Sequence, residues 1–263
     1  MKKEIIKKIP KPLFKPEECL IPIDIPPFKK PSQLIIIGGG TSMKEGISKG
    51  LWDKLKDRFT LGINYSFHYF KSTLQTYVDL DFYSNEWDDL ENLPLIVGKY
   101  HKLIEKEIRG KTIMLHINPK TYVRDLSTGV YKSSLCGLFS LSLGIHLLDK
   151  GEIFLLGFDH NSSSDGGKDK EGKLLTHFYQ GKIKHRGIGK VNYYKNKGRA
   201  DRDFGAYTGE KKIKIYNVSL DSKINTFPKI SYDNFFSMLD SDTFDQSRLR
   251  DIIRKKLDNK NIK

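Results

Sequence analysis

The sequence predicts an α/β fold: a mostly parallel sheet flanked by helices, with a basic lid segment. Three observations predict it. Gln33-Leu34-Ile35-Ile36-Ile37 is a continuous, β-branched apolar run, as in a strand buried on both faces of a parallel sheet. The run ends on Gly38-Gly39-Gly40, residues that allow a tight turn and a close backbone approach to a ligand. Helix-like and strand-like patterns then alternate along the chain, which calls for βαβ units. Together these describe a Rossmann-like domain.

The elements follow in order. Residues 1–32 hold Pro10, Pro12, Pro16, Pro22, Pro26, Pro27 and Pro31. Proline fixes φ and lacks an N–H, so this arm is expected to be irregular. After the glycines, Ser42 is placed to cap a helix over Met43–Leu55. Arg58–Asn64, Tyr77–Tyr83 and Lys111–His116 read as strands. Ser133–Leu148 carries Leu135, Leu138, Phe139, Leu141, Leu143 and Leu147 at helical spacing, with Ser133 or Ser134 at its start. Glu152–Phe158 is a further buried strand. Asn161–Lys173, rich in Ser, Gly, Asp and Lys, reads as a loop within a lid at about 160–205. A short helix near Arg202–Tyr207 and a last strand at Lys212–Val218 follow. The body is assigned to 33–240. The segment 241–263 holds a basic amphipathic helix, Gln246–Leu257, with Leu249, Ile252, Ile253 and Leu257 on one face.

Composition narrows the function classes. The chain has 263 residues, 38% hydrophobic and 30% charged, within the globular range. No apolar run approaches the roughly 20 residues that span a bilayer. The basic start, Met1–Lys8, meets Pro10 and Pro12 before any apolar stretch, so no secretion signal is expected. Two distant cysteines, Cys19 and Cys136, without a CxxC, fit a reducing, cytoplasmic setting, with peripheral contact to a membrane surface left open. The net charge of +14 has two readings: an anionic partner or compositional drift. Clustering favours the first. Lys182, Lys184, His185, Arg186, Lys190, Lys195, Lys197, Arg199 and Arg202 surround Tyr193 and Tyr194, a mixture suited to holding phosphates and stacking bases or sugars.

Five motifs carry candidate chemistry. Gly38, Gly39, Gly40, Thr41 and Ser42 are expected to aim backbone amides at a phosphate from a strand-to-helix turn, although the run is neither GxGxxG nor a Walker A loop. Asn64, with Ser66 beyond it, falls at a strand end, where an amide can read a base or ribose. Asp79 and Asp81, alternating on an expected strand, are the candidate ligands for a Mg²⁺ or Mn²⁺ ion on a diphosphate. Asp159, a further catalytic candidate, follows Gly157, a candidate nucleotide contact, past another strand end. His177 or His185, near Tyr179, suits the general base that deprotonates an acceptor hydroxyl.

These motifs carry a resemblance. Ile37-Gly38-Gly39-Gly40-Thr41-Ser42-Met43-Lys44-Glu45 resembles the opening motif of the bacterial sialyltransferases of glycosyltransferase family 42 and of the domain-of-unknown-function 115 group. Asn64 stands where those enzymes place an Asn. Ser133-Ser134-Leu135-Cys136-Gly137, Leu143-Gly144 and the strand ending Gly157-Phe158-Asp159 follow the family's order, with Ser134-Leu135 in place of a Ser-Gly pair. Ile215–Ser222 resembles its last strand and turn. The resemblance covers roughly Leu34–Ser222. It implies a GT-A-like domain with a lid, a nucleotide-sugar donor and a lid His as base, either His185 or His177.

The expectation is therefore glycosyl transfer by direct displacement. Gly38–Ser42, Asn64, Ser133 and Ser134 would hold the nucleotide, and lid residues Tyr194 and Arg199 would support the leaving phosphate. The basic lid makes DNA or a membrane-associated, lipid-linked glycan a plausible acceptor. Two other classes stay open: a diphosphokinase-like transferase on the same fold, and a non-catalytic nucleic-acid-binding protein.

Overall fold

The structure, a computed structural model, describes residues 29–99, 112–115, 117–118, 130–131, 135–160, 177–179, 199–208 and 212–258. The chain forms two compact units, Met1–Lys30 and Pro31–Lys263. Of the first, only Lys29 and Lys30 are described. The fold below is that of the second.

In chain order the elements are β1 (Gln33–Ile37), α1 (Met43–Ser48), α2 (Leu51–Leu55), β2 (Thr60–Ile63), a 3₁₀ turn (Asn64–His68), β3 (Leu74–Tyr77), α3 (Leu80–Asn85) and α4 (Trp87–Glu91). Then come β4 (Ile96–Lys99), β5 (Thr112–Leu115), β6 (Ile117–Asn118), β7 (Val130–Tyr131), α5 (Cys136–Leu148) and β8 (Gly151–Leu156). Last are α6 (Arg199–Gly205), β9 (Ile213–Val218), α7 (Tyr232–Met238) and α8 (Gln246–Asp258).

Seven strands make one sheet in the order β5-β4-β3-β2-β1-β8-β9, and every pairing is parallel. The chain lays down β1 to β5 in one direction, then returns to add β8 on the other side of β1. The fold is thus a Rossmann-like α/β sheet flanked by helices, with its order reversal between β1 and β8. The pair β6 and β7 forms a separate two-stranded sheet.

A parallel sheet must be covered on both faces, and the side-chain alternation of β1 shows how this is met. Ile35 and Ile37 join one core with Met43 of α1, Leu51 and Leu55 of α2, Phe82 and Tyr83 of α3, and Tyr232 and Phe235 of α7. Leu34 and Ile36 face α5, which comes close enough that a Cβ on Gly144 would sit 2.7 Å from Leu34 Cδ2. All five residues of β1 are buried; Leu34 to Ile37 are apolar, and the side chain of Gln33 donates to Glu152 Oε2 at 2.9 Å and to Met238 O at 2.8 Å.

Several expected elements are placed differently. The helix over Met43–Leu55 is two helices, because Gly50 adopts φ +77° between them, a left-handed conformation that interrupts the hydrogen-bond ladder. The strand over Tyr77–Tyr83 ends at Tyr77, and the chain turns at Asp79 into α3. The apparent alternation of that stretch is a helix burying Phe82 and Tyr83. Strand β4 and helices α4 and α7 are additional to the expected set. The helix over Ser133–Leu148 is capped at Leu135, not at a serine, and Ser133 and Ser134 lie outside the described residues. The C-terminal helix is present but belongs to the body: Leu249, Ile253 and Leu257 are buried. Arg250 Nε donates to Thr73 O at 2.8 Å, and Lys256 Nζ donates to His146 O at 2.8 Å. No helix among the described residues is long and apolar enough to cross a membrane.

Candidate functional site

The crevice at the carboxyl ends of β1 and β8 is built by strand register. Ile37 pairs with Leu156, so the two strands end level. The Gly38 N–H then donates to Leu156 O at 2.8 Å, and the Gly40 N–H to Gly157 O at 2.9 Å. The glycines are required by what lies against them. A Cβ on Gly40 would fall 2.5 Å from an Asp159 carboxylate oxygen. One on Gly39 would fall 2.7 Å from the His177 ring and 2.8 Å from the Tyr179 hydroxyl. Phe178 N–H donates to Gly39 O at 2.9 Å, so residues 177–179 lie across the glycine turn.

Asp159 organises the turn. Its carboxylate accepts from Ser42 N at 2.8 Å, from Ser42 Oγ at 2.5 Å and from Thr41 Oγ1 at 3.4 Å. This corrects the expectation of a helix start open to phosphate. Ser42 occupies the N-cap position without capping, because its hydroxyl is committed to Asp159. The next amides, Met43, Lys44 and Glu45, donate back to Gly40, Thr41 and Ser42 carbonyls at 3.2, 3.0 and 3.1 Å. The anion position at this helix start is filled from within by a carboxylate. Among the described residues, the amides of Gly39 and Thr41 engage in no hydrogen bond.

The exit of β8 is itself held from below. Asn217 Nδ2 donates to Phe158 O at 3.2 Å, Ser222 Oγ donates to Phe158 O at 2.7 Å, and Lys223 N donates to Asp159 O at 2.8 Å. No motif in the sequence marks Asn217 and Ser222 as site residues, although a fully buried Asn inside a strand is unusual. Gly157 (φ +68°) and His160 (φ +48°) bend the exit sharply. His160 packs edge-on to Phe204 at 5.4 Å. Burial lowers its pKa to about 4, against a smaller upward pull from Asp159, so it is neutral at neutral pH.

One strand over, Asn64 ends β2 with φ +48°, a conformation that Asn tolerates better than most side chains. Its backbone carbonyl accepts from Gln75 Nε2 at 2.7 Å. Its side-chain Oδ1 is buried with no hydrogen-bond partner. Ser66, expected beside it as a ligand contact, is instead fully buried, with Oγ donating to Gln75 Oε1 at 3.5 Å. Ser66 is linked to Asn64 through Gln75, which donates to the Asn64 carbonyl. Thr76 and Ser140 continue this buried polar layer at 2.6 Å. Beside them, burial pushes the Cys136 thiol up to about 12 and leaves it unreactive.

An aromatic row borders the crevice. The His177 ring stacks on Tyr179 at 5.1 Å, Tyr179 meets Tyr65 at 5.5 Å, and Tyr65 meets Phe82 edge-on at 4.9 Å.

Asp79 and Asp81, the expected ligands of a divalent ion, do not lie on a strand. Asp79 occupies the N-cap position of α3 without a side-chain capping hydrogen bond, and Asp81 sits in the first turn. Asp79 is extended (φ −86°, ψ 130°) and Asp81 is helical, so the alternation of a continuous strand does not relate the two side chains. His185 and Tyr194 lie outside the described residues, as does the basic stretch around them. Arg199 opens α6, and its side chain is not described. The described structure therefore gathers Gly38–Ser42, Gly157, Asp159 and His177 at one crevice, with Asn64 at the adjoining strand end.

Compared with known proteins, the chain matches no family model, no curated protein and no solved structure.

Proposed function

We propose that this crevice is the donor site of a glycosyltransferase that moves a sugar from a nucleotide-sugar donor to an acceptor hydroxyl. The carrying observation is positional. Open α/β sheets bind ligands outside the carboxyl ends of their strands where the strand order reverses, and here that gap holds the glycine turn, Asp159 and His177 together. The similarity of Ile37–Glu45 to the sialyltransferase-like opening motif supports the same reading.

In this reading the donor phosphate takes the amides of Gly39 and Thr41, since Ser42 is committed to Asp159. The Asp159 charge is offset by its three donors. The Asn64 amide oxygen accepts from a hydroxyl or amino group of the nucleoside. His177 takes the proton from the acceptor hydroxyl as its oxygen attacks the anomeric carbon. The carbon–oxygen bond to phosphate breaks, and the nucleotide leaves with that electron pair. The basic residues of 182–202 favour a polyanionic acceptor, DNA or a lipid-linked glycan.

A hydrolysis screen across CMP-, UDP- and GDP-sugars, with and without Mn²⁺, tests this. One donor class is expected to release nucleotide. His177→Ala is expected to slow that release by about 10²-fold or more, the usual worth of a general base. Absence of hydrolysis with every donor, together with thermal stabilisation by ATP and magnesium alone, would move the chain to the diphosphokinase-like class. Salt-dependent DNA binding without any nucleotide effect would make it a nucleic-acid-binding protein.

A further inference from the structure

A second constellation lies on the other side of Tyr65. His68 closes the 3₁₀ turn, Glu86 joins α3 to α4, and Asp89 lies in the first turn of α4. One ligand atom from each, an imidazole nitrogen and two carboxylate oxygens, lies within 4.8 Å of the others, and His68 Nε2 is 3.1 Å from Glu86 Oε2. We infer that His68, Glu86 and Asp89 form a binding site for one divalent transition-metal ion.

Three features argue for it. The Glu86 side chain is 13% exposed and the His68 side chain 26%, so the carboxylate is largely removed from water. Yet no Lys or Arg among the described residues pairs with Glu86 or Asp89, in a chain of net charge +14. Nor is Glu86 used as a helix cap, because it makes no capping hydrogen bond at the start of α4. Among the described residues these two carboxylates face only one imidazole, and a dication would balance their charge. One nitrogen and two oxygens suit Zn²⁺ or Mn²⁺. Metal bonds of about 2.0–2.2 Å require small side-chain adjustments that draw the three atoms together. His68 and Asp89 are exposed, which leaves the remaining coordination positions to water or to a ligand. Tyr65 lies 6.2 Å from the His68 ring and 5.5 Å from Tyr179, ring to ring, so the ion would sit one aromatic residue away from the crevice.

The inference does not depend on the donor reading, and its test reads the metal alone. The full chain, stripped with a chelator, is titrated with Zn²⁺ by calorimetry and with Mn²⁺ by electron paramagnetic resonance. One equivalent is expected to bind, more weakly as the solution is acidified, because protons compete for the imidazole. His68→Ala and Asp89→Asn are each expected to weaken binding by about tenfold or more. Asp89 is exposed, so its amide variant keeps the fold. Asp81→Asn on α3 is expected to leave binding unchanged. No saturable binding, or equal binding by the wild type, His68→Ala and Asp89→Asn, overturns the site.

Discussion

Asp159 is a buried carboxylate whose oxygens are all spoken for, and removing it releases the Ser42 amide and hydroxyl together. Charge-assisted hydrogen bonds of this kind are worth about 1.5–3 kcal/mol each, and a buried donor left unmade adds its desolvation cost. Asp159→Ala is expected to lower stability by about 2–4 kcal/mol, read as a lower urea midpoint at unchanged slope. His160 makes a pH prediction. Its folded pKa of about 4 lies below the unfolded value of 6.5, so the unfolded chain binds the proton more tightly. The stability it contributes is complete above the unfolded value and is lost as pH falls from there toward the folded value. The loss is on the order of 2–3 kcal/mol, because burial of the ring disfavours its charged form. His160→Asn keeps a residue that tolerates positive φ and is expected to flatten this acid limb. A wild-type melting temperature that stays level across that window counts against the buried neutral ring.

At the scale of elements, α5 and β1 touch through Gly144. A Cβ there would stand 2.7 Å from Leu34 Cδ2 and 3.2 Å from Ile36 Cδ1. Gly144→Ala is therefore expected to destabilise by about 1–3 kcal/mol through overpacking, even though alanine is the better helix former. Denaturant unfolding of the variant distinguishes the two effects by sign. The expected strand over Tyr77–Tyr83 shows the opposite kind of lesson. Tyr77, Asp79, Asp81 and Tyr83 alternate with apolar neighbours, and a period of two cannot be separated from a short helix over so few residues. What decides is that the chain must leave the sheet after Tyr77, whose ring stacks on Tyr83 at 4.7 Å. His68, Glu86 and Asp89, by contrast, are brought together from the end of the 3₁₀ turn and the start of α4, and they show no joint spacing in sequence.

For the whole molecule, α8 braces the β3–β5 side of the sheet and the end of α5. Leu257 is fully buried, Arg250 reaches the backbone at Thr73, Arg254 donates to Pro94 O, and Lys256 reaches the carbonyls that close α5. Residues 31–263 are expected to unfold in one transition, and a chain ending at Asp245 is expected not to fold cooperatively. Leu257→Ala is expected to cost about 2–5 kcal/mol. A separate early transition that this truncation removes, leaving the rest intact, would make α8 an appendage after all.

What the sequence determined by itself is the α/β class, the limits of β1 and the positions of the glycine turn and Asp159, because a run such as Ile35–Ile37 followed by three glycines has few physical alternatives. The limits of α8 were equally plain from its apolar stripe. Only the tertiary structure decided that Asp159 fills the helix start, that His177 lies over Gly39, that Ser66 is a support and that α8 joins the core. Each of these is a contact between segments far apart in the chain. Local propensity and periodicity act over a few neighbours, so they fix what each segment is. Strand register and packing fix which segments meet.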